Sequence, residues 1–159
     1  MTRIALFPGV FDPPTLGHLD IVKQAPLVSE KLIVAVAQNI KKTCLFTVEE
    51  RLAMLRAATR SHPYVEIASF SGLAVTFAKE RKAHFLLRGL RSLADFEHES
   101  QMAAANLLMS GFETVFFMAR HPHISSSLIR EIAHFGGPLD SLVPAEAAAL
   151  ISKKFSPHK

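Results

Sequence analysis

The run Leu32-Ile33-Val34-Ala35-Val36-Ala37 contains six apolar residues, three of them β-branched, with no polar residue at alternate positions. A strand with one wet face alternates apolar and polar side chains, so this run suits a strand covered on both faces. That is the condition of a parallel sheet lying between helical layers. Parallel neighbours cannot be joined by a tight turn and need a crossover, usually a helix. Apolar runs at Ile4 to Phe7, Tyr64 to Ala68, His84 to Arg88 and Thr114 to Met118 are separated by helical patterns that provide those crossovers.

The helices carry their own punctuation. Leu19, Val22 and Ala25 repeat at helical spacing from Gly17 to about Val28, with Pro26 set to kink or end that helix. Thr47-Val48-Glu49-Glu50 is a capping box that opens a helix to about Thr59. Leu73 to Arg81 reads as a helix, and Ser92 caps a long one that Gly111 stops. Ser125 to Phe135 ends at Gly136-Gly137-Pro138, and Pro144 at a first helical position opens a last helix, to about residue 154, that packs on the rest. Strands alternating with helices predict right-handed βαβ units and an α/β, Rossmann-like, doubly wound five-stranded parallel sheet. At 159 residues, with no internal repeat or linker, the expectation is a single domain.

Composition narrows the function classes. No apolar run reaches the length that spans a bilayer, and Met1-Thr2-Arg3-Ile4 passes straight into strand pattern without a signal-peptide layout. Cys44 is the only cysteine, so no internal disulfide is expected and cytoplasm is the default compartment. Lys and Arg outnumber Asp and Glu by 18 to 14, which favours anionic partners. The basic residues are dispersed, and the 12 Phe read as core rather than as a stacking platform between cations. A polyphosphate metabolite is therefore favoured over nucleic acid.

Ligands on parallel sheets bind beyond the carboxyl ends of the strands. The polar candidates fall there: Pro8 to His18 after the first strand, Asn39 to Lys42 after the second, Arg88 to Arg91 after the fourth, and Ile124 to Ser127 beyond the fifth. Gly9 and three prolines turn the chain between the first strand and its helix, whose unpaired N–H groups make an anion site. His18 can offer an imidazole N–H there, although a lone Gly-His pair also reads as an ordinary surface turn. Arg88 and Arg91 are planar forks suited either to phosphate or to ion pairs with Asp95 or Glu99. Ser125-Ser126-Ser127 is a phosphate cradle at a helix start, or simply a set of N-caps. By itself Lys42 reads as part of a solvated basic loop.

Phe11-Asp12-Pro13, Thr15 and Gly17-His18 resemble the T/HxGH signature of the nucleotidylyltransferase superfamily, and Ile124-Ser125-Ser126-Ser127-Leu128-Ile129-Arg130 resembles its partner motif. Between them, Leu87-Arg88-Gly89-Leu90-Arg91 and Ala94-Asp95-Phe96-Glu97, with Glu99, resemble the phosphopantetheine adenylyltransferase family, over roughly Thr2 to Lys154. The resemblance implies adenylyl transfer from ATP to 4′-phosphopantetheine, giving dephospho-coenzyme A and pyrophosphate. It assigns catalysis to His18, Lys42 and Arg91, with His18 stabilising the pentacoordinate α-phosphate. ATP binding is assigned to Phe11, His18, Gly89, Leu90, Arg91, Glu99, His121, Pro122, His123, Ile124, Ser125, Ser126 and Ser127. The acceptor falls to Lys42, Ala74 and Arg88. It further implies Mg²⁺ held mainly by ATP phosphates, feedback binding of coenzyme A, and a homohexamer. Arg130 is either structural or directed at the same phosphates.

The chain departs from the family pattern at Val10, where Thr or Ser is usual, and at His121-Pro122, in place of a Trp-Ser pair in a longer loop. Val10 offers no side-chain hydrogen bond, and losing one transition-state donor can cost roughly 10²–10³ in rate. Two alternatives stand beside the main reading. One is another small-molecule nucleotidylyltransferase, against which Arg88-Gly89-Leu90-Arg91 argues. The other is a catalytically silent nucleotide-binding module, for which Val10 argues.

Overall fold

The computed structural model describes residues 2–38 and 43–155. It contains a five-stranded, all-parallel sheet in the order β3-β2-β1-β4-β5. The strands are β1 (Ile4–Gly9), β2 (Lys31–Ala37), β3 (Val65–Phe70), β4 (Phe85–Leu90) and β5 (Thr114–Met118), and the helices are α1 (Leu16–Gln24), α2 (Val48–Thr59), α3 (Ala74–Glu80), α4 (Leu93–Ser110), α5 (Ser126–His134) and α6 (Ala145–Phe155). The chain winds outward from β1 to β3, then returns to place β4 on the other side of β1. The order reverses between β1 and β4, and a crevice opens there beyond the strand ends.

Successive side chains of β1 and β2 go to opposite faces and are buried on both. Ala5, Phe7, Leu32, Val34 and Val36 pack with Ile21 and Val22 of α1 and Leu55 of α2. Leu6, Ile33 and Ala35 pack on the other face with Val75 and Ala78 of α3. This two-sided burial accounts for the unbroken apolar run at Leu32. A separate cluster of Phe46, Met54, Ile129, Ala147 and Ile151 joins α2, α5 and α6. By contrast, no residue of α4 is buried, although it is the longest helix at 18 residues.

The boundaries follow local chemistry, with some shifts from the sequence expectation. Pro26 ends α1 at Gln24, and a short 3-10 turn, Ala25–Leu27, follows. The Thr47–Glu50 capping box forms, with Ser92 and Ser125 as N-caps and Gly111 closing α4 at φ 74°. Pro144 precedes α6 rather than occupying its first turn, because the helix starts at Ala145. β4 runs two residues further than expected, so Arg88, Gly89 and Leu90 lie inside the strand and only Arg91 lies beyond it. Gly89 pairs with Phe117 across the sheet, and a Cβ there would come within 2.9 Å of Ile21 Cγ1, so a glycine lets α1 settle on β4.

Candidate active site

The turn after β1 is held from both sides. Phe11 adopts φ 53°, a left-handed conformation unusual for an aromatic residue, and its ring is buried edge-on to Phe7 and His18 at centroid distances of 5.4 and 4.9 Å. The Asp12 carboxylate accepts the backbone N–H groups of Leu45 at 2.8 Å and Phe46 at 2.9 Å, tying this turn to the approach to α2. Arg130 Nη1 donates to the Asp12 carbonyl, and Ser126 Oγ donates to the Pro13 carbonyl at 2.8 Å. The two superfamily motifs, more than 100 residues apart, are therefore joined by direct hydrogen bonds.

His18 sits at the third position of α1 and takes the place of the acid in a capping box. Thr15 is the N-cap, and its backbone N–H donates to His18 Nδ1 at 3.0 Å. A nitrogen that accepts cannot carry the proton, so the neutral ring is protonated at Nε2. Burial, then the positive charge of Arg91, then that of Arg88 push its pKa from 6.5 down to about 4. At neutral pH His18 is thus an uncharged donor on the cavity wall. This tautomer was not readable from a Gly-His pair, although a Thr three residues before the His was the available signal.

Two cavities meet over this turn. The first, about 420 Å³, is lined among others by Phe11, Gly17, His18, Gly89, Arg91 and Ser125 to Ser127. The second, about 650 Å³, runs toward α4 and is lined among others by Phe70, Leu73, Ala74, Met102, His98 and Asn106. Pro8, Gly9, Val10, Arg88 and Glu99 belong to both, so they form the junction.

Of the sequence candidates, Phe11, His18, Gly89, Arg91, His121, Ile124, Ser125, Ser126 and Ser127 line the first cavity, Ala74 lines the second, and Arg88 and Glu99 line both. Leu90 is buried in the core, whereas Pro122 and His123 are exposed outside both linings, with His123 edge-on to His121 at 6.1 Å. Lys42 lies outside the described residues. The loop carrying His121 is anchored by the Arg120 backbone N–H, which donates to buried Asp20 of α1 at 2.8 Å.

The arginines are not idle. Arg88 grips the Glu99 carboxylate with Nε at 2.7 Å and with Nη2, and its Nη1 donates to the Pro8 carbonyl at 2.6 Å. Arg91 holds Asp95 through Nε at 2.9 Å and Nη2 at 3.2 Å. The ion-pair reading and the phosphate reading of these forks are compatible, because a carboxylate is the group a phosphate would exchange with. The three serine hydroxyls also have partners: Ser125 caps Leu128 N, Ser126 reaches Pro13, and Ser127 meets Ser125 at 3.1 Å.

A residue the sequence did not single out lies beneath the junction. Arg51 of α2 is only 3% exposed and donates to the carbonyls of Val10 at 2.7 Å, Ala37 at 3.2 Å and Thr47 at 3.2 Å. Its helical position, inside an otherwise ordinary charged stretch, gave no hint of burial.

Comparison with known proteins places the chain among its relatives. The cytidylyltransferase-like family matches residues 6–132. A phosphopantetheine adenylyltransferase of Symbiobacterium thermophilum is 47% identical over 155 residues, covering 96% of each chain. One from Clostridium botulinum is 46% identical over 160 residues, covering 99% of this chain and 97% of that one. A solved structure assigned as a nicotinate-nucleotide adenylyltransferase of Vibrio parahaemolyticus superposes with a TM-score of 0.74 over 100% of this chain and 98% of its own, at 14% identity, a likeness of fold alone. With this identity over nearly the full length, the chain belongs to the phosphopantetheine adenylyltransferase family of cytidylyltransferase-like proteins.

Proposed function

We propose that the chain transfers the adenylyl group of ATP to the phosphate of 4′-phosphopantetheine, forming dephospho-coenzyme A and pyrophosphate. The observation that carries this reading is the pair of cavities joined at Pro8–Val10, Arg88 and Glu99. One has arginines, a neutral imidazole and two helix starts, which suits a triphosphate. The other combines apolar walls with Gln38, His98 and Asn106, which suits an extended arm carrying amides. Their junction is where the α-phosphorus and the acceptor phosphate would meet.

The nucleophile is a phosphate oxygen, already anionic at neutral pH, so no general base is required. Catalysis then rests on in-line positioning and on charge stabilisation. His18 supplies Nε2–H to a non-bridging α-phosphate oxygen without first having to lose a proton. Arg91, Phe11, Gly89, His121 and the 124–127 segment attend ATP. Arg88, Ala74 and Lys42 attend the acceptor, with Lys42 also beside the transferring group. Arg88 would release Glu99 to the acceptor phosphate's advantage, leaving that carboxylate for sugar hydroxyls.

We assign Mg²⁺ to the ATP phosphates. Among the described residues no group of three or more His, Cys, Asp or Glu is placed to hold a metal ion, so no side chain is given that task. Bound to the triphosphate, the ion would neutralise part of its charge. Coenzyme A itself would fill the same two cavities and act as a feedback ligand. A homohexamer is supported by α4, which buries nothing while exposing Leu93, Phe96, Leu107, Leu108 and Met109. Among the described residues no helix is long and apolar enough to cross a membrane, and we place the enzyme in the cytoplasm.

The test is pyrophosphate release from ATP, with and without 4′-phosphopantetheine, on the natural chain and on His18→Ala. Release that needs the acceptor and falls by about 10²-fold or more in the variant supports the reading. Absence of acceptor-dependent release from the folded natural chain overturns it.

A further inference from the structure

Arg51 is a buried cation for which the fold alone offers little return. It is 3% exposed, yet among the described residues no carboxylate lies within 4.0 Å of it, and its side chain donates to backbone carbonyls alone. A guanidinium taken out of water without a counter-charge is costly, and an apolar residue of similar size would fill the space more cheaply. Such a group is retained where its charge or its fork serves another purpose.

The partners indicate the purpose. Nη1 bridges the carbonyl of Val10, in the turn after β1, and that of Ala37, at the end of β2, while Nε holds Thr47 at the start of α2. The Val10–Phe11 peptide is trans, so its carbonyl and the Phe11 N–H point in opposite directions. With the Val10 carbonyl drawn down onto Arg51, the Phe11 N–H is turned away from the guanidinium. Phe11 itself is held in the left-handed region at φ 53°, a conformation that persists only where the surroundings enforce it. Arg51 enforces it from one side and the packing on Phe7 and His18 from the other.

We propose that Arg51 is a positioning residue for the transfer. It locks the Val10–Phe11 peptide so that the Phe11 N–H faces the α-phosphate, and it leaves an unneutralised positive charge beneath the junction of the two cavities. This rests on the adenylyl-transfer reading given above. It also accounts for how a chain with Val10, lacking a hydroxyl there, keeps a donor at this point: the donor is backbone, and Arg51 aims it.

The test compares the natural chain with Arg51→Met and Arg51→Lys at low temperature, where circular dichroism verifies folding. With pyrophosphate release as the assay, Arg51→Met should lower kcat by about 10²-fold while both KM values stay within about threefold, since positioning acts in the transition state. Arg51→Lys, which keeps the charge but not the fork, should recover part of kcat. As a readout independent of turnover, α,β-methylene-ATP should shift the Phe11 amide proton downfield in the natural chain and not in Arg51→Met. An unchanged kcat in folded Arg51→Met, a loss confined to KM, or a Phe11 shift that survives the substitution would overturn the proposal and leave adenylyl transfer standing. If Arg51→Met does not fold, full kcat in Arg51→Lys overturns it. A natural chain without acceptor-dependent release overturns both.

Discussion

His18 couples the site to stability, and the size of the effect follows from its environment. In the unfolded chain its pKa is near 6.5, and in the folded protein burial and the charges of Arg91 and Arg88 bring it to about 4. Between those values the unfolded state binds a proton that the folded state refuses. Stability is therefore complete above the unfolded value, falls as pH drops through the window, and levels off once the folded ring also protonates. Each pH unit in the window corresponds to about 1.4 kcal/mol, so the full span amounts to about 3 kcal/mol. Protonation would also place a second N–H on Nδ1, opposing the Thr15 N–H that now donates to it at 3.0 Å. The perturbation is His18→Asn, whose side-chain oxygen can still accept from Thr15. Urea unfolding of both chains, at matched protein concentration from about pH 7.5 to about pH 4.5, isolates this group because the other histidines are common to both. The natural chain should lose stability relative to the variant at about 1.4 kcal/mol per pH unit below the unfolded pKa. A difference that stays flat across that range would refute a depressed His18 pKa, and with it the neutral-donor assignment.

Three further substitutions separate packing from binding. Gly9→Ala places a Cβ 2.8 Å from Cζ of the locked Phe11 ring, so it should cost about 1–3 kcal/mol and disturb His18; an unchanged Tm would show that the ring is free to move. Gly17→Ala meets nothing closer than Thr15 Oγ1 at 3.4 Å, so Tm should hold or rise while KM for ATP rises about tenfold. An unchanged KM would mean that no ligand approaches that backbone closely. Val10→Thr sets a hydroxyl at the junction of the cavities and should raise kcat/KM by about tenfold. No gain would show that no donor is missing there.

The sheet was legible because its signals are local and mutually consistent. The unbroken run at Leu32, the capping box at Thr47 and the glycine stop at Gly111 each act within a few residues, and each formed as expected. The convergence of Pro8–His18, Arg88–Arg91 and Ile124–Ser127 followed from the strand-end rule, and these segments share a cavity in the fold. What escaped depends on partners distant in sequence. Asp12 is explained by Leu45 and Phe46, and Arg51 by Val10, pairs separated by 33 to 41 residues that no periodicity connects. β4 reached Leu90 because Gly89 and Leu90 find Phe117 and Met118 on β5, a tertiary pairing that local propensity does not encode. The exposure of α4 also eluded a reading that expected an ordinary crossover helix.

The most direct check on the mechanism is the stereochemical course at the α-phosphorus, followed with ATP carrying a single chiral α-phosphorothioate and 4′-phosphopantetheine as acceptor. Two substrates meeting at the Val10 junction, with no covalent enzyme intermediate, require inversion of configuration in the dephospho-coenzyme A formed. Retention would mean that a group on the protein takes the adenylyl group first, and direct transfer across the two cavities would be wrong.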